Sequence, residues 1–212
     1  MLEIKNLSAG ILKNVSLSVP VGARVSLRGA NGSGKTTLAN AVIGIADIPV
    51  KSGRIFFNGA DITDLSIDAR ARAGIFLGAQ NVPDIPGLSI MTFLKHSLIA
   101  HHGDVPVNIF MKKLKSAQER LHIPDAWLGR SLNVGFSGGE KKRIMFLHLL
   151  VINPKFAILD EPDSGADERA RKLFGEVIGE MKGTTFLIIS HQKLYFDPFA
   201  EITLQGGEII AK

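Results

Sequence analysis

The residues whose types and spacing most directly suggest chemistry are Gly29-Ala30-Asn31-Gly32-Ser33-Gly34-Lys35-Thr36-Thr37. They satisfy G-x-x-x-x-G-K-[ST], a spacing that gains meaning only between a strand and a helix. Upstream, Ala23–Arg28 alternates with Val25 and Leu27 on one side, which predicts a half-buried strand. Downstream, Leu38-Ala39-Asn40-Ala41-Val42-Ile43 reads as helix. Both flanks are in place, so a phosphate-binding loop is expected rather than a glycine-rich turn with a surface lysine. Backbone N–H groups freed by the three glycines would converge on phosphate oxygens at the positive end of the helix. Lys35 would reach the β- and γ-phosphates, and the Thr36 hydroxyl would ligate Mg²⁺.

Two further stretches carry chemistry. In Asn133-Val134-Gly135-Phe136-Ser137-Gly138-Gly139-Glu140-Lys141-Lys142-Arg143, Ser137 and Glu140 have capping-box spacing, so a helix begins there. Gly138 and Gly139 leave its backbone open to close approach. Three cations in the first turns conflict with the positive end of the helix dipole, a conflict that an incoming anion would resolve; the alternative is a capped helix with solvated lysines. The second stretch, Phe156-Ala157-Ile158-Leu159, is a continuous apolar run, as expected of a buried parallel strand. It delivers Asp160-Glu161 to the carboxyl end, where open α/β sheets bind ligands. Paired carboxylates there suggest one role on Mg²⁺ and one on a proton or water. Thr185–Ser190 reads as another buried strand that ends at His191, which could contact a γ-phosphate, although a lone histidine is more often structural.

The elements that must position these groups follow from pattern. Strands are expected at residues 2–4, 15–19 and 53–57, with a turn at Pro20-Val21-Gly22 and a hairpin turn at Asn58-Gly59. Ser66 is the candidate N-cap of a short helix through Ala71, and Gly74–Leu77 a strand running into Gln80. Breakers crowd Asn81–Ser89, which predicts irregular structure. Helical spacing then runs from Ile90 to about Leu128, interrupted at Gly103–Pro106 and at Pro124. His101-His102 is expected to be a solvated loop pair rather than a metal site, and Trp127 a core residue beside Leu128. Asp163-Ser164-Gly165 should cap a helix to about Lys182 that buries Leu173, Phe174, Val177, Ile178 and Met181. A last hairpin, Ile202–Leu204 with Glu208–Ile210, turns at Gly206-Gly207.

Composition narrows the class. Among 212 residues 45% are apolar and 21% charged, which excludes a disordered chain. There is no cysteine, hence no disulfide and no cysteine-held zinc or iron–sulfur cluster. The net charge of +5 admits an acidic partner, but no arginine-rich run or basic–aromatic face points to nucleic acid. The start lacks a signal-peptide pattern and no apolar run reaches membrane-spanning length, so a soluble, cytoplasmic protein without membrane insertion is expected.

Taken together, the motifs resemble those of ABC-type ATPases. Gly29–Thr36 resembles the Walker A loop, Gln80 the Q-loop glutamine, and Phe136-Ser137-Gly138-Gly139-Glu140 the signature sequence. Phe156–Glu161 resembles Walker B with its catalytic glutamate, Ser164-Gly165-Ala166-Asp167 the D-loop, and His191 the switch histidine. Within that superfamily the chain is similar to the SufC family, the ATPases of Suf iron–sulfur cluster assembly. The likeness rests on Phe76–Gln80 with Ile85-Pro86-Gly87, on Arg130–Arg143, and on Leu159–Gly165. Transporter ATPases usually carry Thr where Asp163 stands and glutamine where Glu140 stands. Pro162 is transporter-like, and Ala166 replaces the usual D-loop leucine.

The resemblance implies an α/β fold: a P-loop ABC ATPase domain with a RecA-like core, an antiparallel β subdomain and an inserted helical subdomain. One domain over 1–212 is expected, with the helical part near 81–151 and the catalytic core at 1–80 and 152–212. It implies that ATP is held by Gly29, Asn31, Gly32, Ser33, Gly34, Lys35, Thr36 and Thr37, and by Ser137, Gly138 and Gly139 of a second copy in a transient ATP-dependent homodimer. Thr36, Gln80 and Asp160 would serve Mg²⁺, and Glu161, His191, Lys35 and Gln80 would serve hydrolysis. The implied partners are Suf-type scaffolds of the SufB/SufD kind, docked around Gln80–Leu88 and the helical part, with any cluster held by them. The alternative is the nucleotide-binding subunit of a membrane transporter. A regulatory module without turnover is opposed by Glu161 and His191. No aromatic precedes Phe56, so the residue this family stacks on adenine is missing. ATP should be held more weakly, and an aromatic near Ala9 or Gly10 should tighten it.

Overall fold

The computed structural model describes residues 1–190 and 198–211. In chain order its elements are β1 (Leu2–Ala9), β2 (Leu12–Val19), β3 (Arg24–Arg28), α1 (Lys35–Ile43), β4 (Val50–Phe57) and β5 (Ala60–Asp61). Next come α2 (Ile67–Ala73), β6 (Ile75–Gly78), β7 (Ile85–Ser89), α3 (Ile90–His102), α4 (Val107–Leu121), a 3₁₀ turn (Asp125–Trp127) and β8 (Ser131–Leu132). The remainder is α5 (Gly138–Ile152), β9 (Phe156–Asp160), α6 (Glu168–Glu180), β10 (Thr185–Ile189), β11 (Ala200–Gln205) and β12 (Glu208–Ala211).

A six-stranded sheet in the order β12-β11-β3-β10-β9-β6 forms the centre, parallel throughout except for the β11–β12 hairpin. Because side chains alternate across a strand, its central strands feed two separate cores. Ala157, Leu159, Phe186 and Ile188 pack on one face with α3, α4, α5 and α6. Phe156, Ile158, Leu187 and Ile189 pack on the other with α1 and the antiparallel sheet β2-β1-β4-β5. This placement corrects the expectation for β3. Flanked by β10 and β11, it is buried on both faces, and Ser26 lies inward as well as Val25 and Leu27.

Strands β1 and β2 are longer than alternation predicts. Asn6 and Asn14 take left-handed φ of 51° each, and the register shifts between Ile4 and Leu7. Each break resets the phase of the pattern, so Leu7 and Ala9 remain buried where strict period two would expose one residue type or the other. Asn58 and Gly59, at φ of 51° and 83°, make the expected tight turn between β4 and β5.

Four other expectations are revised. Residues 81–89 are not wholly irregular, since Ile85–Ser89 pairs with β8. His101 and His102 are the last turn of α3, not a loop, and His102 Nε2 lies 2.7 Å from the Ile152 carbonyl oxygen. Among the described residues no cluster of three or more His, Cys, Asp or Glu could hold a metal. α6 starts later than Asp163: Asp167 is the N-cap and accepts from Ala170 N at 2.7 Å. Ser66 stands at the start of α2, but its hydroxyl bonds the Asp68 carboxylate rather than capping the backbone. The core face of α6 is as expected, and Trp127 packs edge-on to Phe136 at 4.9 Å.

Candidate functional site

Parallel pairing brings the carboxyl ends of β3, β10, β9 and β6 to one edge of the sheet. The phosphate loop follows β3, Ser190 follows β10, Asp160-Glu161 ends β9, and Gln80 follows β6. Residues far apart in the chain therefore meet for a topological reason. His191 lies outside the described residues.

The loop conformation requires its first glycine. Gly29 has φ 153°, and a Cβ there would stand 2.2 Å from the Leu204 carbonyl oxygen. Gly34, at φ 110°, is the left-handed N-cap of α1 and turns the chain into the helix. Lys35 is only 6% exposed, and its Nζ donates to the carbonyls of Gly29 and Ala30 at 2.9 and 3.0 Å. An ammonium has three donors, so one is left for a further acceptor. The Ser33 hydroxyl is buried with no hydrogen-bond partner among the described residues. Around this loop lies an open cavity of about 530 Å³, lined by Asn31, Gly32, Gly34, Lys35, Thr36 and Thr37 together with Gln80, Glu161 and Ile11.

Two contacts tie the other strands to the loop. Thr36 Oγ1 donates to Asp160 Oδ2 at 2.8 Å, and Gln80 Nε2 donates to Glu161 Oε2 at 2.7 Å. Asp160 is 3% exposed. Burial raises its pKa, the Thr36 hydrogen bond opposes this, the Glu161 charge adds to it, and Lys142 and Lys35 oppose it. A cation beside Asp160 would offset the burial. Glu161 sits at φ 49°, a left-handed conformation uncommon for a non-glycine residue, with its N–H donating to the Ile189 carbonyl at 2.8 Å. Backbone strain of this kind collects at functional sites.

Ser137, Gly138 and Gly139 do not line this cavity. They start α5, where Ser137 Oγ accepts from Glu140 N at 3.4 Å and Glu140 Oε2 accepts from Ser137 N at 2.8 Å, completing the expected capping box. Donation from the Ser137 N–H, with the Ser137 hydroxyl as a lesser cause, holds the Glu140 carboxyl below its usual pKa. Two of the three cations in the first turns of this helix are already engaged within the chain. Lys141 pairs with Asp84 at 2.6 Å, and buried Lys142 reaches the Gln80 carbonyl at 3.3 Å, so both find partners within the chain.

The geometry is that of a nucleotide site, and the ABC transporter family model matches residues 12–164, well over half the chain. The chain belongs to that family. This ABC ATPase domain is 39% identical over 223 aligned positions to a probable ABC transporter ATP-binding protein of Streptococcus pyogenes, covering 99% of this chain and 87% of the relative. It is 35% identical to the iron–sulfur cluster assembly protein SufC of Plasmodium falciparum, over 91% of this chain and 60% of that one. A dimeric ATP-binding cassette solved with ADP and phosphate superposes with a TM-score of 0.85 at 21% identity, covering 100% of this chain and 97% of its own; that likeness concerns the fold. The expected P-loop ABC ATPase fold is thus the observed one, and the domain is an ATP-binding one.

Sequence reasoning missed one residue that lines this cavity. Ile11, 48% exposed in the turn between β1 and β2, lines the phosphate cavity and an adjoining hollow of about 700 Å³ that also holds Gly10 and Lys51. Of the stretch near Ala9 and Gly10 where an aromatic was expected to help, Ile11 is the position that offers room. Ala9 is fully buried, and Gly10 has φ 55° with Thr37 Cγ2 3.0 Å from any added Cβ. An exposed isoleucine next to a glycine was the available signal.

Proposed function

We propose that this chain is a Mg²⁺-dependent ATPase whose copies clasp ATP head to tail, and that the resulting motion drives a soluble, cytoplasmic iron–sulfur scaffold of the SufB/SufD kind. The observation that carries the ATPase reading is that Thr36 and Glu161 share the lining of the phosphate-loop cavity while Thr36 is bonded to Asp160. The donor set fits Mg²⁺: a hydroxyl and a carboxylate, 2.8 Å apart, are hard oxygen donors of the kind that hold this ion together with water and phosphate. Gln80 is the third candidate, its amide directed at Glu161. When bound, Mg²⁺ would neutralise charge on the phosphates. Lys35 holds the β- and γ-phosphates with its remaining donor, and Glu161 orients and polarises the attacking water. His191 steadies the γ-phosphate. Ser137–Gly139 of the second copy covers the phosphates that the first copy leaves open.

The Suf role is supported by the SufC relative and by Glu140 and Asp163, two positions where transporter ATPases usually differ. Both residues are engaged, Glu140 in the capping box and Asp163 Oδ2 as acceptor from Ser190 Oγ at 2.8 Å. With no cysteine in the chain, the cluster belongs on the partner. A second reading, the nucleotide-binding subunit of a membrane transporter, is favoured by the name of the 39% identical relative. The two separate in one experiment. Tagged Glu161→Gln protein, loaded with MgATP, is recovered from its native cell and its co-purifying proteins identified. Soluble scaffold proteins are the expected result; a polytopic membrane protein would overturn the Suf assignment in favour of the transporter.

A further inference from the structure

A second concave region lies apart from the phosphate cavity, where α4 and α5 meet α6. Its first hollow, about 510 Å³, is walled by Arg143, Arg169, Lys172 and His122 around Leu173 and Ala170. Arg120 links it to a second hollow of about 460 Å³, where Ile109, Ala117 and Leu150 lie between Lys112 and Lys113. Ile109, Lys112, Lys113, Ser116, Ala117 and Arg120 recur at helical spacing, so one face of α4 forms a continuous wall about 16 Å long.

The charge of this groove is one-sided. Glu176 and Glu180 are the only carboxylates lining it, and both are engaged by Arg120, at 3.1 Å for Glu176 and 2.8 Å for Glu180. Those bonds fix the guanidinium that divides the hollows. Among the described residues Arg143, Arg169, Lys172, Lys112 and Lys113 form no salt bridge. Arg143 faces the Glu140 carboxylate at the start of α5, but the cations outnumber the carboxylates along the groove. Such crowding of like charge raises the free energy of the fold, which an anionic partner would relieve.

We propose that this groove docks an acidic, amphipathic segment of a partner protein. Its carboxylates meet the Arg143–Arg169–Lys172 end, and its apolar side chains rest on Ile109, Ala117 and Leu150. The two-part lining decides the occupant. A small inorganic anion would use the cationic hollow and leave the apolar one without purpose. A nucleic-acid strand is held by stacking rings as well as cations, and no Phe, Tyr or Trp lines either hollow. A bilayer surface is met by protruding apolar side chains rather than a groove. Complementary charge with an apolar anchor is the usual chemistry of protein docking.

The test pans a display library of random 16-residue peptides against the full chain and measures each selected peptide by fluorescence polarisation. The expected result is a family of acidic peptides with helically spaced apolar residues. Their affinity should fall about tenfold or more in Arg169→Glu/Lys172→Glu and also fall in Ile109→Asp, while ATP binding is unchanged. The unchanged ATP binding reports that the variants fold. The proposal is overturned if no selected peptide responds to these substitutions. It is overturned equally if tripolyphosphate, single-stranded DNA or anionic phosphatidylserine vesicles bind the wild type and lose binding in both variants as the peptides do.

Discussion

Thr36 and Asp160 were both legible as functional types, but not their contact. The hydroxyl–carboxylate bond at 2.8 Å depends on β3 and β9 lying in one sheet with β10 between them, which no local pattern contains. Thr36→Val keeps the shape of the side chain while removing the hydroxyl that donates to Asp160. MgATP affinity should then drop on the order of 10–100-fold with little change in thermal stability; unchanged affinity by calorimetry would remove Thr36 from the metal role. The left-handed backbone at Glu161 was likewise invisible, since φ is not written in residue type. Ile11 offers a test in the opposite direction. Ile11→Tyr places a ring at the edge of the nucleotide cavity, and base–aromatic stacking is worth ~1–3 kcal/mol per base. ATP binding should tighten by roughly tenfold, and no change would mean that the base lies elsewhere.

Among the elements, long periodic ones were readable and irregular ones were not. α5 announced itself through its capping box, and β9 and β10 through unbroken apolar runs. β1 and β2 were cut short because left-handed asparagines reset their alternation, and β7 was hidden because it pairs through only a few exposed residues. The support of α1 was also hidden. Arg70, buried, donates to the carbonyls of Ala41 and Val42 at 2.8 Å each, and to those of Thr63 and Leu65 at 2.6 and 2.9 Å. It closes the far end of the helix whose first turn is the phosphate loop. Removing it strands several buried acceptors, so Arg70→Ala should lose on the order of 3 kcal/mol in urea unfolding. A compact ammonium cannot span four carbonyls, so Arg70→Lys should not rescue it. A loss under about 1 kcal/mol would show that water replaces the guanidinium.

α5 carries a second measurable device. The His148 ring packs against Phe76 at 5.0 Å and Phe93 at 4.6 Å, with Nε2 buried and without a hydrogen-bond partner among the described residues. Burial, helped by His101, lowers its pKa from 6.5 to about 3. Below about 6.5 the unfolded chain takes up a proton that the native chain refuses, so this contribution to stability is complete above that pH and is lost as pH falls toward about 3. The slope is up to ~1.4 kcal/mol per pH unit. His148→Phe should flatten the difference between unfolding midpoints at pH 5 and pH 7, and an unaltered difference would assign it to other groups.

Taken whole, the molecule is a mainly parallel sheet between two cores, with its ligand edge set by strand order and Ser137–Gly139 outside the lining of its own cavity. That separation is the structural reason for the proposed pairing of two copies, and it was foreseeable only through family resemblance. Each nucleotide site would then be built from the loop of one copy and Ser137–Gly139 of the other. Lys35→Ala and Ser137→Arg chains, each without turnover alone, should recover partial turnover when mixed, because one composite site regains both intact halves. No recovery on mixing would argue for sites built within a single chain.

The most direct test is Glu161→Gln in the presence of MgATP, followed by light scattering on a sizing column alongside turnover. The substitution keeps the size of the side chain and removes the charge proposed to polarise water. The expected result is a nucleotide-loaded dimer with turnover reduced on the order of 10²–10⁴-fold. A chain that stays monomeric and hydrolyses ATP at the wild-type rate would contradict both the role of Glu161 and the paired site.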